Sequence, residues 1–227
     1  MLIGGFQKSS MIDYPDKIAA VVFTQGCNFR CGYCHNPDLL EKKEGISSNQ
    51  YIIDFLKTRI NKLDAVVISG GEPTLQKKLI PFIKEIKELG FLVKLDTNGT
   101  NPELIRELID EKLIDYIAMD IKAPMDKYES ICSVKINQEA IKKSIEILLE
   151  KQIPYEFRTT VIKEQLDFSD FNSIGELING ADSYYLQKFV PTTTFDKTLK
   201  DKATYSDDDF SIIEKILKPY ISRVETR

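Results

Sequence analysis

The chain has 227 residues, 42% of them apolar and 29% charged, with a formal net charge of −4. That is enough apolar material for a sizeable core in one domain, and the acidic balance argues against a general nucleic-acid or membrane-surface binder. A single histidine, His35, excludes a zinc hydrolase built on several His ligands, and any Ser-His-Asp or Cys-His triad would have to use a residue inside a cysteine cluster.

Residues 1–17 read as a polar, Gly-containing extension that ends in the turn signal Asp13-Tyr14-Pro15-Asp16. Ile18–Thr24 reads as a first strand. The loop Gly26–Pro37 follows and holds Cys27, Cys31, Cys34 and His35. After a turn at Gly45–Asn49, Ile52, Phe55, Leu56 and Ile60 recur at helical spacing. Ala65–Ser69 is a continuous apolar run, a buried strand ending in Gly70-Gly71-Glu72-Pro73. Leu79, Phe82, Ile83 and Ile86 form a second helical stripe, stopped by Gly90. Phe91–Leu95 is the third strand, ending in Asp96-Thr97-Asn98-Gly99, and Leu104, Ile105, Leu108 and Ile109 mark a third helix.

Tyr116–Met119 is the fourth strand, ending in Asp120-Ile121-Lys122. Ile141, Ile145, Leu148 and Leu149 line a fourth helix. Tyr155–Ile162 is the fifth strand, with Pro154 where a missing N–H is tolerated. Phe171, Ile174 and Ile178 suggest a fifth helix, and Tyr184–Val190 a sixth strand. Ser206 with Asp207, Asp208 and Asp209 reads as an N-cap and acidic first turn opening a last helix with Phe210, Ile213 and Leu217, and not as a metal site. Six strand–helix units without a linker predict an α/β fold with a parallel sheet. The expected arrangement is one domain over 1–227, with 1–17 as the extension and 18–220 as the strand–helix body. No segment reaches the roughly 18 apolar residues of a membrane span. No signal peptide is evident, so the expected location is the cytoplasm.

Polar residues gather at the C-terminal ends of these strands, the edge at which parallel α/β folds bind ligands. Any loop is polar, which covers Thr97 or Asn98 alone. Asp96, Asp120, Lys122 and Arg158 sit in otherwise apolar strands, where a charge is costly unless paired or used. The cysteine loop admits three readings. Zinc would take Cys27, Cys31, Cys34 and His35, although adjacent ligands are awkward for a tetrahedral site. A C-x-x-C thiol pair, Cys31 and Cys34, leaves Cys27 unexplained. A [4Fe–4S] cluster on three thiolates leaves one iron open to an exogenous ligand.

C-x3-C-x2-C after the first strand, with Tyr33 before the last Cys and Gly70-Gly71-Glu72-Pro73 after the second strand, resembles the radical S-adenosylmethionine (radical SAM) enzymes. The likeness runs from about Ser9 to Val190. It implies a partial (β/α)6 barrel of parallel strands, TIM-like but short of eight units. It also implies reductive cleavage of S-adenosylmethionine at a [4Fe–4S] cluster to give a 5′-deoxyadenosyl radical. Ser10–Pro15, Cys34-His35-Asn36-Pro37-Asp38, Asp96–Gly99 and Asp120-Ile121-Lys122 are similar to stretches of the glycyl-radical-enzyme activating proteins. The likeness is greatest to the anaerobic ribonucleoside-triphosphate reductase type, which is related to the pyruvate formate-lyase type.

By that resemblance Cys27, Cys31 and Cys34 ligate the cluster, and Tyr33 and Asn36 lie near the adenine. Gly70, Gly71 and Glu72 hold the methionine amino group. Asp96, Thr97, Met119 and Asp120 surround its carboxylate, where a monovalent cation is a further candidate, and Lys122 and Arg158 neutralise charge. Asp13 falls where such proteins meet the partner's glycine loop, and equally reads as a turn-forming Asp beside Pro15. The implied activity is that of an oxidoreductase acting on a partner glycyl radical enzyme as protein substrate. A flavodoxin-like or other low-potential donor would supply the electron, with no role for nucleic acid or membrane. Gln187-Lys188-Phe189 stands where some relatives place a His, and the one cysteine left over, Cys132, rules out additional clusters and reads as a buried thiol. His35 reads as a packed residue at the rim. A pyruvate formate-lyase-type activase, a radical SAM enzyme acting on another peptide or a small molecule, and a metal-binding adaptor without activity are the alternatives.

Overall fold

The computed structural model describes residues 1–227. By internal contacts the chain divides into two compact units. The first comprises residues 1–28, 38–118 and 152–154, and the second residues 29–37, 119–151 and 155–227. Within each of these units, paired strands follow one another in chain order. No helix is long and apolar enough to cross a membrane.

In the first unit, β1 (Ile3–Ser10) runs antiparallel to β2 (Ala19–Thr24), and β2 pairs in parallel with β3 (Ala65–Gly70) from Ala19↔Ala65 to Thr24↔Gly70. β3 pairs in parallel with β4 (Leu92–Thr97) from Ala65↔Leu92 to Ile68↔Leu95. Because side chains alternate along a strand, Ala19, Val21, Ala65 and Val67 share one face, where Tyr14 covers them. Ala20, Val22, Val66 and Ile68, on the opposite face, are equally buried. Burial on both faces explains the uninterrupted apolar runs. The helices are α1 (Asn49–Lys57), α2 (Leu79–Glu88) and α3 (Pro102–Asp110). Ser48 caps α1 and Asn101 caps α3, each accepting from a backbone N–H of the first turn.

β5 (Tyr116–Asp120) begins in the first unit and ends in the second. In the second unit β6 (Tyr155–Val161), β7 (Ser183–Lys188) and β8 (Arg223–Thr226) pair in parallel. The helices are α4 (Tyr128–Cys132), α5 (Gln138–Leu149), α6 (Phe168–Leu177) and α7 (Asp207–Leu217). Tyr128, Tyr184, Phe157, Phe171 and Phe210 are its largest fully buried side chains. Ser206 caps α7 and Asp209 reciprocates, the capping role expected of that acidic run.

The α/β class and the six expected strands are present as β2 to β7. Three elements are additional. The extension contributes β1, the chain past residue 220 contributes β8, and α4 interrupts the long connection after β5. β1 carries Gly4-Gly5 and only Phe6 as a large central side chain, β8 is four residues long and half charged, and α4 is shorter than the window in which helical periodicity registers.

Candidate active site

In the first unit the ends of β2 and β3 are laced together by backbone bonds. Gly71 N–H donates to Thr24 C=O at 2.8 Å, and Glu72 N–H donates to Gly26 C=O at 2.8 Å. Gly26 opens the cysteine loop in the left-handed region (φ 90°), and its own N–H donates to Leu39 C=O at 2.7 Å. Only glycine fits at 71, since a Cβ there would lie 2.3 Å from Gly26 O. Gly70-Gly71 is therefore a close-approach motif that pins the root of the cysteine loop.

Glu72 is 1% exposed. Its Oε1 accepts from Thr74 N (3.1 Å), Thr74 Oγ1 (2.6 Å) and Thr97 Oγ1 (2.8 Å), and its Oε2 accepts from Asn98 N (2.7 Å). Burial raises its pKa, and these four donors pull back in the other direction. The carboxylate thus ties the end of β3 to the end of β4. Asn98 Nδ2 donates to Asn28 Oδ1 at 2.8 Å, and Asn28 Nδ2 donates to Thr100 Oγ1 at 2.9 Å, so the loop after β4 also grips the cysteine loop. Asp96 accepts from Ser69 Oγ at 3.0 Å and pairs with the buried Lys94 at 3.1 Å. Lys94 Nζ also donates to Asp13 C=O at 2.5 Å, and Ser10 Oγ donates to the Asp13 carboxylate. Asp13 is accordingly fixed in a clasped turn.

In the second unit Cys31 and Cys34 occupy one turn, closed by Cys34 N–H to Cys31 C=O at 3.0 Å. Asp120, at the end of β5, accepts from Arg158 Nε and from Lys122 Nζ, both at 2.9 Å. Burial works to raise the Asp120 pKa, but the two cations outweigh it and hold the carboxyl down at about 2. Lys122 is held well above its ordinary value: desolvation opposes this, and the Asp120 charge prevails. Its ammonium lies 5.8 Å from the centroid of the Tyr33 ring. The Tyr33 hydroxyl is buried without a hydrogen-bond partner. A hydrogen bond from Cys132, opposed by burial and assisted by the Lys122 charge, lowers the Cys31 thiol to about 7, while burial raises that of Cys34. His35 stacks on Phe189 (centroids 5.9 Å apart, planes at 24°), with Nδ1 3.2 Å from Thr193 O, which is the packed rim position expected of it. Asp196 N–H donates to Gly32 C=O at 2.8 Å, so the connection after β7 lies against the cysteine turn.

The structure thus joins Gly70, Gly71, Glu72 and Thr97 in one network of the first unit, with Asp96 on the neighbouring Lys94–Ser69 pair. It joins Cys31, Tyr33, Asp120, Lys122 and Arg158 in the second. Asn36 is exposed beyond Cys34, and Met119 is buried one residue before Asp120. Three residues escaped sequence reasoning: Asn28, Lys94 and Glu156. A lysine at the centre of an apolar strand was the available signal for Lys94, as was a glutamate for Glu156, two residues before Arg158.

No three His, Cys, Asp or Glu side chains converge as a preformed metal cage. The donor chemistry nonetheless fits an iron–sulfur cluster. Three thiols lie within eight residues of one loop, none is in a disulfide, and a lysine charge beside Cys31 favours its thiolate.

The sequence profile of the Radical SAM superfamily matches residues 21–177. A Methanocaldococcus jannaschii protein assigned to the glycyl-radical enzyme activating enzymes is 41% identical over 234 aligned positions, covering 100% of this chain and 95% of the relative. The pyruvate formate-lyase-activating enzyme of Staphylococcus epidermidis is 31% identical, covering 75% of this chain and 73% of the relative. Among solved structures, Streptococcus suis SuiB bound to its precursor peptide SuiA superposes with a TM-score of 0.72 at 14% identity, over 91% of this chain and 48% of that one; at that identity the likeness speaks for the fold alone. With a thiolate loop rooted at the end of a parallel strand, a Gly-Gly-Glu-Pro motif zipped to that root, and a relative aligned over the whole of this chain, the chain belongs to the radical SAM superfamily and, within it, to the glycyl-radical-enzyme activating enzymes.

Proposed function

We propose that this chain installs a glycyl radical on anaerobic ribonucleoside-triphosphate reductase. The observation that supports the reading is the backbone lacing of Gly71 and Glu72 to Thr24 and Gly26, which fixes the root of the loop that carries the three thiols in sequence. Cys27, Cys31 and Cys34 would hold a [4Fe–4S] cluster. When bound, cluster and S-adenosylmethionine supply a one-electron cleavage of the sulfonium bond: methionine and 5′-deoxyadenosine leave, and the partner's glycine loses one hydrogen atom.

The chain's own residues bind, orient and exclude water. The Gly70 and Gly71 backbone would receive the methionine amino group. The Glu72 side chain, held by Thr74, Thr97 and Asn98, shapes that backbone, and its Oε2, which accepts one bond from Asn98 N, would also receive the amino group. Thr97 and Asp96 would flank the methionine end. Lys122 and Arg158, cross-linked by Asp120, would set positive charge for its carboxylate. A monovalent cation beside Asp120 would compete with Lys122. Tyr33 and Asn36 would flank the adenine, and Asp13 the partner's glycine loop. The electron would come from a flavodoxin-like donor in a reducing cytoplasm, in keeping with cysteines free of disulfides. The balance of −4 favours no nucleic-acid partner.

A second reading, activation of a pyruvate formate-lyase, is favoured by the relatives of that name. The test is anaerobic incubation of reconstituted, reduced protein and S-adenosylmethionine with each candidate glycyl radical enzyme, followed by electron paramagnetic resonance. A glycine-centred doublet on the reductase supports the first reading, and a doublet on the lyase alone supports the second. Bound zinc, no iron uptake and no 5′-deoxyadenosine would overturn both.

A further inference from the structure

Cys132 is the last residue of α4 and is fully buried. Of the groups around Cys31, the Cys132 side chain acts most strongly on its thiol. The segments carrying the two sulfurs are tied on both sides of the contact. Arg30 N–H donates to Cys132 C=O at 2.9 Å, one residue before Cys31. Phe29 sets its ring edge against Tyr128, with centroids 6.3 Å apart, and the Tyr128 hydroxyl donates to Asp120 C=O at 3.3 Å. Ser133, in the left-handed region (φ 55°), ends α4 just after the thiol. α4 is thus held against the cysteine turn, with Cys132 next to the Arg30–Cys31 segment. No role in the activase chemistry uses Cys132.

We propose that Cys31 and Cys132 form an oxidation-triggered disulfide once the loop has lost its cluster. The inference rests on the cluster reading above. With hydrogen peroxide as oxidant, the Cys31 sulfur takes one peroxide oxygen to give a sulfenic acid, and one water leaves. The Cys132 sulfur then displaces that oxygen, the S–S bond forms, and a second water leaves. Two electrons pass from the sulfur pair to one peroxide, and both thiol protons end in water. Only Cys31, 6% exposed, has to meet the oxidant, because Cys132 resolves the sulfenic acid from inside. The disulfide keeps Cys31 off the irreversible sulfinic and sulfonic steps, and a thiol reductant returns it to the ligand pool. Cys34, in the same turn as Cys31, is the competitor by sequence spacing.

The test starts from reconstituted holoprotein, with its iron–sulfur absorption recorded. Hydrogen peroxide is added until that absorption is gone. Free thiols are alkylated, and the unreduced digest is mapped by mass spectrometry. The expected product is a cross-link between the Cys31 and Cys132 peptides, two hydrogens lighter than their sum and lost on reduction. Cys132→Ser should lose the cross-link, accumulate Cys31 sulfinic acid, and regain less iron than wild type after reduction. Circular dichroism checks that this variant is folded, and the wild-type map stands without it. A dominant Cys31–Cys34 or Cys27–Cys31 cross-link, or Cys132 recovered alkylated, overturns the proposal. Protein that takes up no iron fails the cluster reading instead, and the same map on that protein still decides the sulfur pairing.

Discussion

Asp120 carries a guanidinium on one oxygen and an ammonium on the other, and that pairing has a pH consequence. Its folded-state pKa, about 2, lies below the unfolded value of 3.8. A depressed carboxyl contributes stability that is fully present above its unfolded pKa and is lost as pH falls through its folded one, here between about 4 and about 2. The contribution is about 2 kcal/mol. Urea unfolding of the cluster-free protein should therefore show Asp120→Asn less stable than wild type at pH 7, with the gap narrowing as pH falls from about 4 toward about 2. A gap that stays constant across this range would show that the two cations are not held by charge. This residue was legible before the structure, because a charge ending an apolar strand demands a partner. Glu72 was legible as a site residue, but its use was not: that Thr74, Thr97 and Asn98 would all turn their donors on one carboxylate depends on where β3 and β4 end relative to each other.

At the scale of elements, the turn after β3 depends on two glycines for different reasons. Gly70 adopts φ 111°, and a Cβ there would fall 2.3 Å from Thr24 N; Gly71 meets Gly26 O. Gly90 has φ 88° but nothing within 4 Å of a Cβ, so Gly90→Ala costs only backbone strain, about 1 kcal/mol. Gly71→Ala must push Gly26 away and so break the Glu72 N–H to Gly26 C=O bond at the root of the cysteine loop. It should reduce iron incorporation and S-adenosylmethionine binding at least tenfold, while Gly90→Ala leaves both unchanged. Iron assay and isothermal titration check this, and equal behaviour of the two variants would refute the close-approach argument. The Gly-Gly-Glu-Pro motif was visible in the sequence. The elements that were not visible share a cause. β1, β8 and α4 are too short, too glycine-rich or too charged for periodicity, and exist because neighbours supply their partners.

Across the molecule, charge is buried mainly on the strands that carry the polar ends, and the last strand shows what holds it there. Glu156, on β6, is 1% exposed between two guanidinium groups: Arg227 Nη2 lies 3.4 Å from Oε2, and Arg158 Nη1 lies 4.0 Å from Oε1. Arg227 follows β8, bonds its backbone to Leu186 and Lys188 of β7, and places its guanidinium 3.3 Å from the Tyr185 ring centroid. A strand too short to be recognised from sequence thus delivers the cation that lets β6 bury a carboxylate. Removing one partner of such an arrangement costs more than removing both, because the remaining charge stays buried. Arg227→Met, which keeps the aliphatic stem, should destabilise the chain by about 2 kcal/mol. Glu156→Gln should lose a similar amount, and the double variant should be no less stable than either single one. Thermal unfolding of the four proteins closes the cycle, with a coupling of about 1–3 kcal/mol expected. Additive losses would mean that Arg227 acts through its stacking on Tyr185 alone. A coupled result would make β8 part of the charge lattice that includes Arg158, so that Arg227→Met should also weaken S-adenosylmethionine binding by the reconstituted protein while its iron content stays unchanged.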